Sequence, residues 1–525
     1  LVAAFQEQSG SNYARGFGGL DMVLETTMAV GAIAESGASD NAAKSTPDFS
    51  TTNIQVEGVD EADIVKSDGE YIYNFSENRL IITKAYPIET AEIVSQTELD
   101  GVRPIEMFGK DDKLLLFGTK SWRDYEIIQP EKPSTSTNKT IASPTIVGDR
   151  FSPYYYSQTV TVQLYDISDR SKPELEKETG FEGNYKTSRL IGDQAYFVIN
   201  TWPKYNYYRG GPIPMIADAI DVVGVGITRV IEEVTGEEKK DFTKPKEEEQ
   251  EVDIIPYIIE NGEKKRVAKP EEISFIPPMP IQSFVTIGSI NLETGNLEKE
   301  VIAGNADSVF ASERNIYLSS TAWLPNKTPI IGEADRFVNG DNQKTVINKF
   351  GLKKGEVGFL GQGQVPGTVL NQFSMDEHKG NFRIATTKRS FGFERSEQTN
   401  NLYVLNEDME TIGTLEDLAP GESIFSVRFM GDRAYMVTFK KVDPLFVIGL
   451  SNPEEPKVLG KLKIPGFSDY LHPIDEDHIL GIGKDAVASK TGDFAWYQGM
   501  KIAVFDVSDV ENPIEFNLAF VTLTF

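Results

Sequence analysis

The chain has 525 residues, a formal net charge of −28 at pH 7, no cysteine, and 44 glycines and 27 prolines, a composition that favours a turn-rich all-β fold. The negative charge argues against nucleic acid as a partner, because phosphate neutralisation requires a basic surface and the Lys and Arg residues here are scattered. The absence of cysteine excludes disulfides, cysteine-ligated metal sites, thiol nucleophiles and c-type haem attachment.

Residues 1–52 differ in composition from the rest of the chain, since Gly, Ser and Ala dominate them. Within them only residues 20–34 have the spacing of a short amphipathic helix. The most apolar run, 22–34, contains Glu25 and is too short to cross a bilayer, so we expect no transmembrane segment. The sequence therefore predicts an N-terminal arm and linker with a short helix, followed by one domain over residues 53–525.

An acidic loop lies between two alternating apolar segments at residues 52–73, TNIQVEGVDEADIVKSDGEYIY. Alternation on both sides of the loop predicts β-strands. Its carboxylates are candidate ligands of a cation, with calcium preferred, because calcium binds several hard oxygen atoms. These candidates are Asp60, Glu61, Asp63 and Asp68. Their spacing does not match an EF-hand loop, and the alternative is that they cap turns and pair with Lys66 or with arginines.

A two-part unit recurs along the rest of the chain. Its first part is a small polar turn that opens an alternating strand, and LIGDQAYFVI (190–199) and FMGDRAYMVT (429–438) match almost residue for residue. Its second part ends a strand with Ser-Asp or Ser-Asn and has Pro four positions later, as in YDISDRSKP (165–173) and FDVSDVENP (505–513). Ser, Asp and Asn side chains hydrogen-bond turn backbones, and Pro needs no ladder donor. The pattern predicts an antiparallel meander.

Seven such units begin near residues 64, 103, 186, 306, 369, 424 and 470. The compact units are about 45 to 60 residues long with about four strands each, which is typical of β-propeller blades. The sequence therefore predicts an all-β propeller of seven or eight four-stranded blades. Residues 516–525 alternate as a strand that either completes a blade or belongs to an eighth. Three intervals are too long for a blade and are predicted to be loop insertions, near 122–158, 202–280 and 323–343.

Residues 52–73 and 465–485 (PGFSDYLHPIDEDHILGIGKD) resemble two sequence blocks of a family of secreted bacterial and archaeal proteins. Members of that family have a carboxy-terminal β-propeller distantly related to WD-40 repeats. The resemblance extends over about residues 53–525 and implies a secreted or surface-exposed propeller. It implies no catalytic residues, because the biochemical activity of the family is not established. Family members continue with a further Asp-His-containing block and a closing strand, so we leave ring closure open.

The second block supplies two further candidate site residues, Asp469 and His472. His472 and His478 lie on either side of a turn and do not form an HExxH-type zinc pair. A packed or solvent-bonded histidine is therefore the favoured interpretation, although His472 is the first position to mutate. Three sequons would permit glycosylation in a secreted protein. They begin at Asn74, Asn138 and Asn326.

Two functions from different classes remain open. The preferred one is non-enzymatic: a secreted or cell-surface scaffold, stabilised by calcium, that binds a protein or a cell-envelope polymer or assembles into a homopolymer. An unclosed ring would leave a strand edge that the N-terminal arm of a neighbouring chain fills by strand addition, in head-to-tail contacts. The alternative is an extracellular polymer-degrading hydrolase or lyase with carboxylates near the propeller channel. An acidic loop packed against its neighbours, without an open cleft, would favour binding or assembly.

Overall fold

The computed structural model describes residues 54–123, 156–202, 254–278, 283–323, 343–391, 396–439, 443–464, 466–488 and 495–521. Within these ranges the chain is almost entirely β-strand, and its helical pieces are three short 3-10 turns, Ile88–Thr90, Pro270–Glu272 and Gln372–Ser374. In this part of the chain no helix has the length and apolar character needed to cross a bilayer. The predicted N-terminal helical arm and most of the three predicted insertions lie outside the described residues.

The described strands form seven sheets, and the core of each sheet is four antiparallel strands. In six of the sheets these four strands follow one another directly along the chain, and in the third sheet other strands intervene. A three-residue strand, β1 (Val59–Glu61), comes first in the chain and belongs to the third sheet. The first sheet consists of β2 (Val65–Ser67), β3 (Tyr71–Ser76), β4 (Arg79–Lys84) and β5 (Glu92–Glu98). The core of the second sheet consists of β6 (Arg103–Lys110), β7 (Lys113–Arg123), β8 (Tyr156–Asp166) and β9 (Glu174–Glu182).

The third sheet is interrupted in sequence by three additional short strands. It begins with β10 (Asn184–Ile191) and β11 (Gln194–Thr201). The additional strands are β12 (Tyr257–Glu260), β13 (Glu263–Arg266) and β14 (Ile273–Phe275). The third sheet then resumes with β15 (Phe284–Asn291) and β16 (Leu297–Ala303).

The last four sheets have four strands each. The fourth consists of β17 (Ser308–Ala311), β18 (Asn315–Trp323), β19 (Gln343–Lys353) and β20 (Glu356–Pro366). The fifth consists of β21 (Met375–His378), β22 (Asn381–Phe391), β23 (Ser396–Leu405) and β24 (Thr411–Leu418). The sixth consists of β25 (Ser423–Met430), β26 (Arg433–Phe439), β27 (Asp443–Gly449) and β28 (Lys457–Ile464). The seventh consists of β29 (Phe467–Pro473), β30 (His478–Ala488), β31 (Ala495–Asp506) and β32 (Ile514–Val521).

The first repeated turn predicted from the sequence is the loop between the first two strands of a sheet. Gly192 and Gly431 have φ values of +59° and +53°. The pairs Ile191–Gln194 and Met430–Arg433 close the two hairpins around them. A left-handed backbone at this position suits glycine, because it has no Cβ. The predicted unit starts fall at or within a few residues of the first strands β2, β6, β10, β17, β21, β25 and β29.

The second repeated turn lies between the third and fourth strands of a sheet. Asp166 accepts hydrogen bonds from the backbone N–H and the hydroxyl of Ser168, and Asp506 accepts the same two from Ser508. These local bonds supply the turn backbone with an acceptor that the strand ladder no longer provides. In the seventh sheet the strand after this turn is β32, which pairs with β31 up to Val521. The predicted C-terminal strand therefore completes the seventh sheet.

The described part of the long interval 202–280 adds strands to two sheets. β12 pairs with β9 and with β13, so this hairpin extends the second sheet. β14 pairs in parallel with β16 and extends the third sheet. The interval thus covers strand edges that would otherwise be open, a common protection of outer strands.

Each sheet shares a hydrophobic core with the next sheet along the chain. The six cores join Leu80 with Leu116, Phe117 with Phe197, Ile287 with Leu318, Tyr317 with Phe382, Leu402 with Met436, and Val447 with Phe505. Burial of one such side chain contributes roughly 1.5–3 kcal/mol, so these faces hold the sheets in a fixed sequence. Among the described residues, no such core joins the seventh sheet to the first.

Candidate functional site

Residues 55–63, which we call the central segment, contact the first strands of several sheets. β1 pairs with β10 from Val59–Ile191 to Glu61–Arg189. Asp63 exchanges two backbone hydrogen bonds with Met107 of β6, at 3.1 and 2.8 Å. Earlier in the segment, the Gln55 amide donates to the carbonyls of Gln372 and Met375, at 3.1 and 3.0 Å. The third, second and fifth sheets therefore meet at the acidic stretch before the chain enters β2.

A tight turn sets the direction of the central segment. Gly58 has a φ of +79°, and the Val59 N–H donates to the Val56 carbonyl at 3.1 Å. Val59 is buried in the core between the third and fourth sheets, and Val56 packs against the same core. The turn thus brings both valines to the core and leaves Asp60 and Glu61 beside the neighbouring strands.

Lys66 provides the positive charge nearest to the acidic residues. Its side chain is 6% exposed, and its Nζ lies 2.9 and 3.0 Å from the two carboxylate oxygens of Asp60. The same ammonium donates to the Glu61 carbonyl at 2.6 Å and lies 5.6 Å from the centroid of the Phe108 ring. Because an ammonium in such surroundings loses its water, the Asp60 carboxylate is required to compensate its charge.

Arg189 pairs with the second acidic residue. Its Nη2 lies 3.6 Å from Glu61 Oε1 and donates to Gln372 Oε1 at 2.8 Å. Arg189 is buried, and its Nη1 donates to the Thr187 hydroxyl and the Ser188 carbonyl. The guanidinium therefore links the central segment to the 3-10 turn that precedes the fifth sheet.

The two remaining predicted calcium ligands lie in different surroundings. The Asp63 carboxylate accepts the N–H of the following residue at 2.7 Å. The Asp68 carboxylate caps the β2–β3 turn by accepting the N–H groups of Glu70 and Tyr71, and it also accepts the Tyr73 hydroxyl. Within the described ranges no group of three or more His, Cys, Asp or Glu side chains is placed to hold a metal ion. The contacts of these carboxylates are of the kind expected under the alternative interpretation, in which they cap turns and pair with Lys66 or with arginines. Calcium binding by these residues stays a prediction.

A second group of side chains, which we call the Arg428 cluster, consists of Arg428, Phe373, Tyr470 and His472. Arg428 lies on the sixth sheet, Tyr470 and His472 lie on the seventh, and Phe373 lies in the 3-10 turn before the fifth. Arg428 of β25 is 6% exposed, and its guanidinium carbon lies 5.6 Å from the centroid of the Phe373 ring. Tyr470 packs edge to face on Phe373, with the centroids 5.6 Å apart. The Tyr470 hydroxyl lies 3.3 Å from His472 Nδ1. The structure thus brings the predicted residue His472 to a buried arginine that the sequence analysis did not single out.

The alignment of β25 with β29 explains this cluster. The Ser426 hydroxyl donates to the Ser468 carbonyl at 2.6 Å, so Arg428 and Tyr470 each follow this contact by two residues. In β29 the pairing register shifts between Ser468 and Tyr470, so Asp469 is the bulged residue, and its side chain is exposed. A bulge re-aims the side chains next to it. Asp469, also a predicted site residue, lies outside the contacts of the cluster.

Arg428 is the charged residue of the cluster at neutral pH. Burial lowers the pKa of the Arg428 guanidinium below its usual value, and an arginine still remains charged at neutral pH. Burial, and after it the charge of Arg428, lowers the pKa of His472, which is therefore neutral at pH 7. A neutral His472 that accepts the Tyr470 hydroxyl at Nδ1 carries its proton on Nε2.

A third titratable group lies in the first strand of the second sheet. The Tyr185 hydroxyl donates to the Glu106 carboxylate and lies 2.7 Å from the Ser188 hydroxyl. Burial raises the pKa of Glu106, although the Tyr185 hydrogen bond acts in the opposite direction. Burial, followed by the charge of Glu106, raises the pKa of Tyr185 well above its usual value. This carboxylate has its own hydrogen-bonding partners, and it lies near enough to Arg189 and Asp63 for their charges to act on its pKa.

The first and seventh sheets each have one apolar face that no described core covers. Ile93, 57% exposed, lies on the face of the first sheet that also carries Val65, on the side opposite Leu80. Phe516, 51% exposed, lies on the corresponding face of the seventh sheet with Val504. Further members of the two faces are Ile72, Ile81, Leu480, Ile482, Ile502 and Ile514. A sheet face of this composition is normally covered by another sheet.

Comparison with known proteins supports the architecture. The family model described as "Beta propeller domain" matches residues 49–522. An uncharacterised protein of Methanocaldococcus jannaschii is 32% identical over 477 residues, which are 89% of this chain and 68% of that protein. An uncharacterised protein of Archaeoglobus fulgidus is 27% identical over 508 residues, which are 91% of this chain and 72% of that protein.

Proposed function

Because the chain belongs to the beta propeller domain family, we propose that it is a secreted or cell-surface propeller of seven blades that acts as a binding and assembly scaffold. The seven sheets correspond to the blades, and the six shared cores order them around the central segment. The resemblance of residues 52–73 and 465–485 to the secreted family supports the location outside the cell.

The observation that supports assembly is the pair of uncovered apolar faces on the first and seventh sheets. We assign a second copy of this chain as their occupant, with the first sheet of one copy packed on the seventh sheet of the next. The two faces match in kind, since both carry Ile or Val at the centre and exposed apolar side chains beside them. These are Val65 and Ile93 on the first sheet, and Ile514 and Phe516 on the seventh. Such a contact joins two different faces, so it continues from copy to copy and gives a chain of propellers.

The alternative function, a hydrolase or lyase that acts on an extracellular polymer, requires two carboxylates that face an open cleft. The acidic residues at the centre are instead engaged: Asp60 with Lys66, Glu61 with Arg189, and Glu106 with Tyr185. This packing favours the scaffold. The net charge of −28 opposes the approach of two copies, so salt that screens the repulsion should strengthen the assembly.

A complementation experiment tests the assembly. Ile93→Lys places a charge on the first-sheet face, and Phe516→Lys places one on the seventh-sheet face. We expect the parent chain to form species that grow with concentration in light scattering at moderate salt, and each variant to stay monomeric. An equimolar mixture of the two variants should give a capped dimer, because each retains the face that the other lacks.

Leu360→Lys is the matched control, since Leu360 is 61% exposed on the outer strand of the fourth sheet and belongs to neither face. This variant should assemble like the parent chain. A strictly monomeric parent chain at high concentration would contradict the proposal. So would a mixture that stays monomeric, or one variant that still dimerises alone, since the latter would mean that one face pairs with itself.

A further inference from the structure

We propose that the Arg428 cluster binds the carboxylate of a small ligand. Three observations support this inference. Arg428 is buried and has no carboxylate at ion-pair distance among the described residues, an equivalent arginine has one, and two hydrogen-bonding side chains lie beside Arg428. Arg428 and Phe373 lie on neither uncovered face, whereas Tyr470 and His472 pair with Ile482 and Leu480 at the β29 edge of the seventh-sheet face. The experiment therefore uses dilute, monomeric protein, so that assembly does not affect its outcome.

Arg428 differs from the other buried cations near the centre. Lys66 has Asp60 as its carboxylate, Arg189 has Glu61, and Arg383 has Asp376. For Arg428, by contrast, neither a hydrogen bond nor an ion pair to any described residue is present, and its close contact is the face of Phe373 at 5.6 Å. A buried charge without a partner is costly, so a site of this kind is completed by an anion.

The sequence repeat identifies the missing anion as a carboxylate. Arg189 and Arg428 occupy the same position in the repeat, three residues before the Gly-Asp turn at Gly192 and at Gly431. Each lies on the first strand of its sheet, β10 or β25. In the third sheet, Glu61 of the central segment places a carboxylate 3.6 Å from Arg189. In the sixth sheet, Glu61 and Asp376 attract Arg428 only from beyond ion-pair distance, and no described carboxylate contacts it directly.

The neighbouring side chains suit a planar anion. A guanidinium binds a carboxylate through two parallel N–H groups. His472 and Tyr470 are partly exposed, so the cluster opens to solvent on their side. With its Nδ1 facing the Tyr470 hydroxyl, His472 presents an Nε2–H donor to a second carboxylate oxygen. Phe373 covers one side of the guanidinium and adds apolar contact for the remainder of a ligand.

Acetate is the probe for the experiment, and the imidazole proton resonance of His472 is the readout. The chain has three histidines, so each resonance can be assigned with a single His→Gln variant. We expect acetate to shift the His472 resonance in a saturable way, while chloride at equal ionic strength does not. Arg428→Met should abolish the response. Arg428→Lys keeps the positive charge but loses the two parallel N–H donors of the guanidinium, and it should weaken acetate binding by about tenfold.

Arg433→Met is the matched control, because Arg433 begins β26 at a distance from the cluster and lies near Asp477. It should leave the acetate response unchanged. If Arg428→Met does not fold, the Lys variant still tests the proposal through its weaker response. The proposal is overturned if acetate gives no saturable shift, if the shift persists without Arg428, or if sulfate binds more tightly than acetate, since the preferred ligand would then be a tetrahedral oxyanion and not a carboxylate.

Discussion

At the residue scale, charges near the centre of the protein are compensated individually, and their partners come from different distances along the chain. Asp60 and Lys66 are close in sequence, whereas Glu61 and Arg189 are brought together by the pairing of β1 with β10. Removal of one partner from such a pair costs more than the pair contributes, because a buried charge is then left alone. Arg428 is the exception, and it also affects the titration of its neighbour His472.

Two histidines of the seventh sheet should titrate on opposite sides of the ordinary pKa of about 6.5. Burial, and then the charge of Arg428, lowers the pKa of His472, whereas the hydrogen bond that the His478 ring donates to the Asp475 carboxylate raises the pKa of His478. An NMR titration should therefore show His472 losing its proton first as the pH rises. Arg428→Met should raise the midpoint of His472 and leave that of His478 unchanged. Equal midpoints in the parent chain, or no change in the variant, would contradict this explanation.

At the element scale, the hairpin between the first two strands of a sheet is the unit that repeats. In the Gly192 and Gly431 hairpins two residues reverse the chain, and the glycine takes the left-handed conformation. A Cβ at either glycine would meet no atom within 4 Å. The requirement for glycine therefore comes from the backbone conformation alone and not from crowding.

Gly431→Ala should lower the free energy of unfolding by about 1 kcal/mol, because alanine is disfavoured at a φ of +53°. Gly431→Asn should cost less, since asparagine tolerates this conformation. Gly358→Ala is the matched control: a Cβ there also meets open space, but its φ is not in the left-handed region. Urea unfolding of the three variants measures the differences. A loss in Gly358→Ala as large as that in Gly431→Ala would contradict the conformational explanation.

At the scale of the whole molecule, the described sheets form a series. Described cores cover both faces of the inner five sheets and one face of each end sheet. The six cores each join neighbours in the chain, and among the described residues none joins the ends. In such a series the stability of a unit depends on its contacts with its neighbours. The first and seventh sheets are therefore expected to open more readily than the middle ones.

Hydrogen exchange of the dilute monomer should show this difference. Amides of β3 and β30 should exchange at least about tenfold faster than those of β22 and β26. The reason is that β3 and β30 belong to the end sheets, in which a described core covers only one face. Measurement of the Ile93→Lys variant keeps the chain monomeric and removes the effect of assembly. Uniform protection across the four strands would show that the end sheets are covered as fully as the others.

The sequence by itself determined the repeat, the strand and turn positions within it and the all-β class, because alternation and turn chemistry act over a few residues. The matching segments at 190–199 and 429–438 were sufficient to predict both hairpins. Only the tertiary structure decided which acidic residues meet which cations, since Glu61 and Arg189 are distant in the chain. It also decided that, among the described residues, Arg189 has a carboxylate at ion-pair distance and Arg428 does not. The two arginines are equivalent in the repeat, and a single strand, β1, pairs beside only one of them.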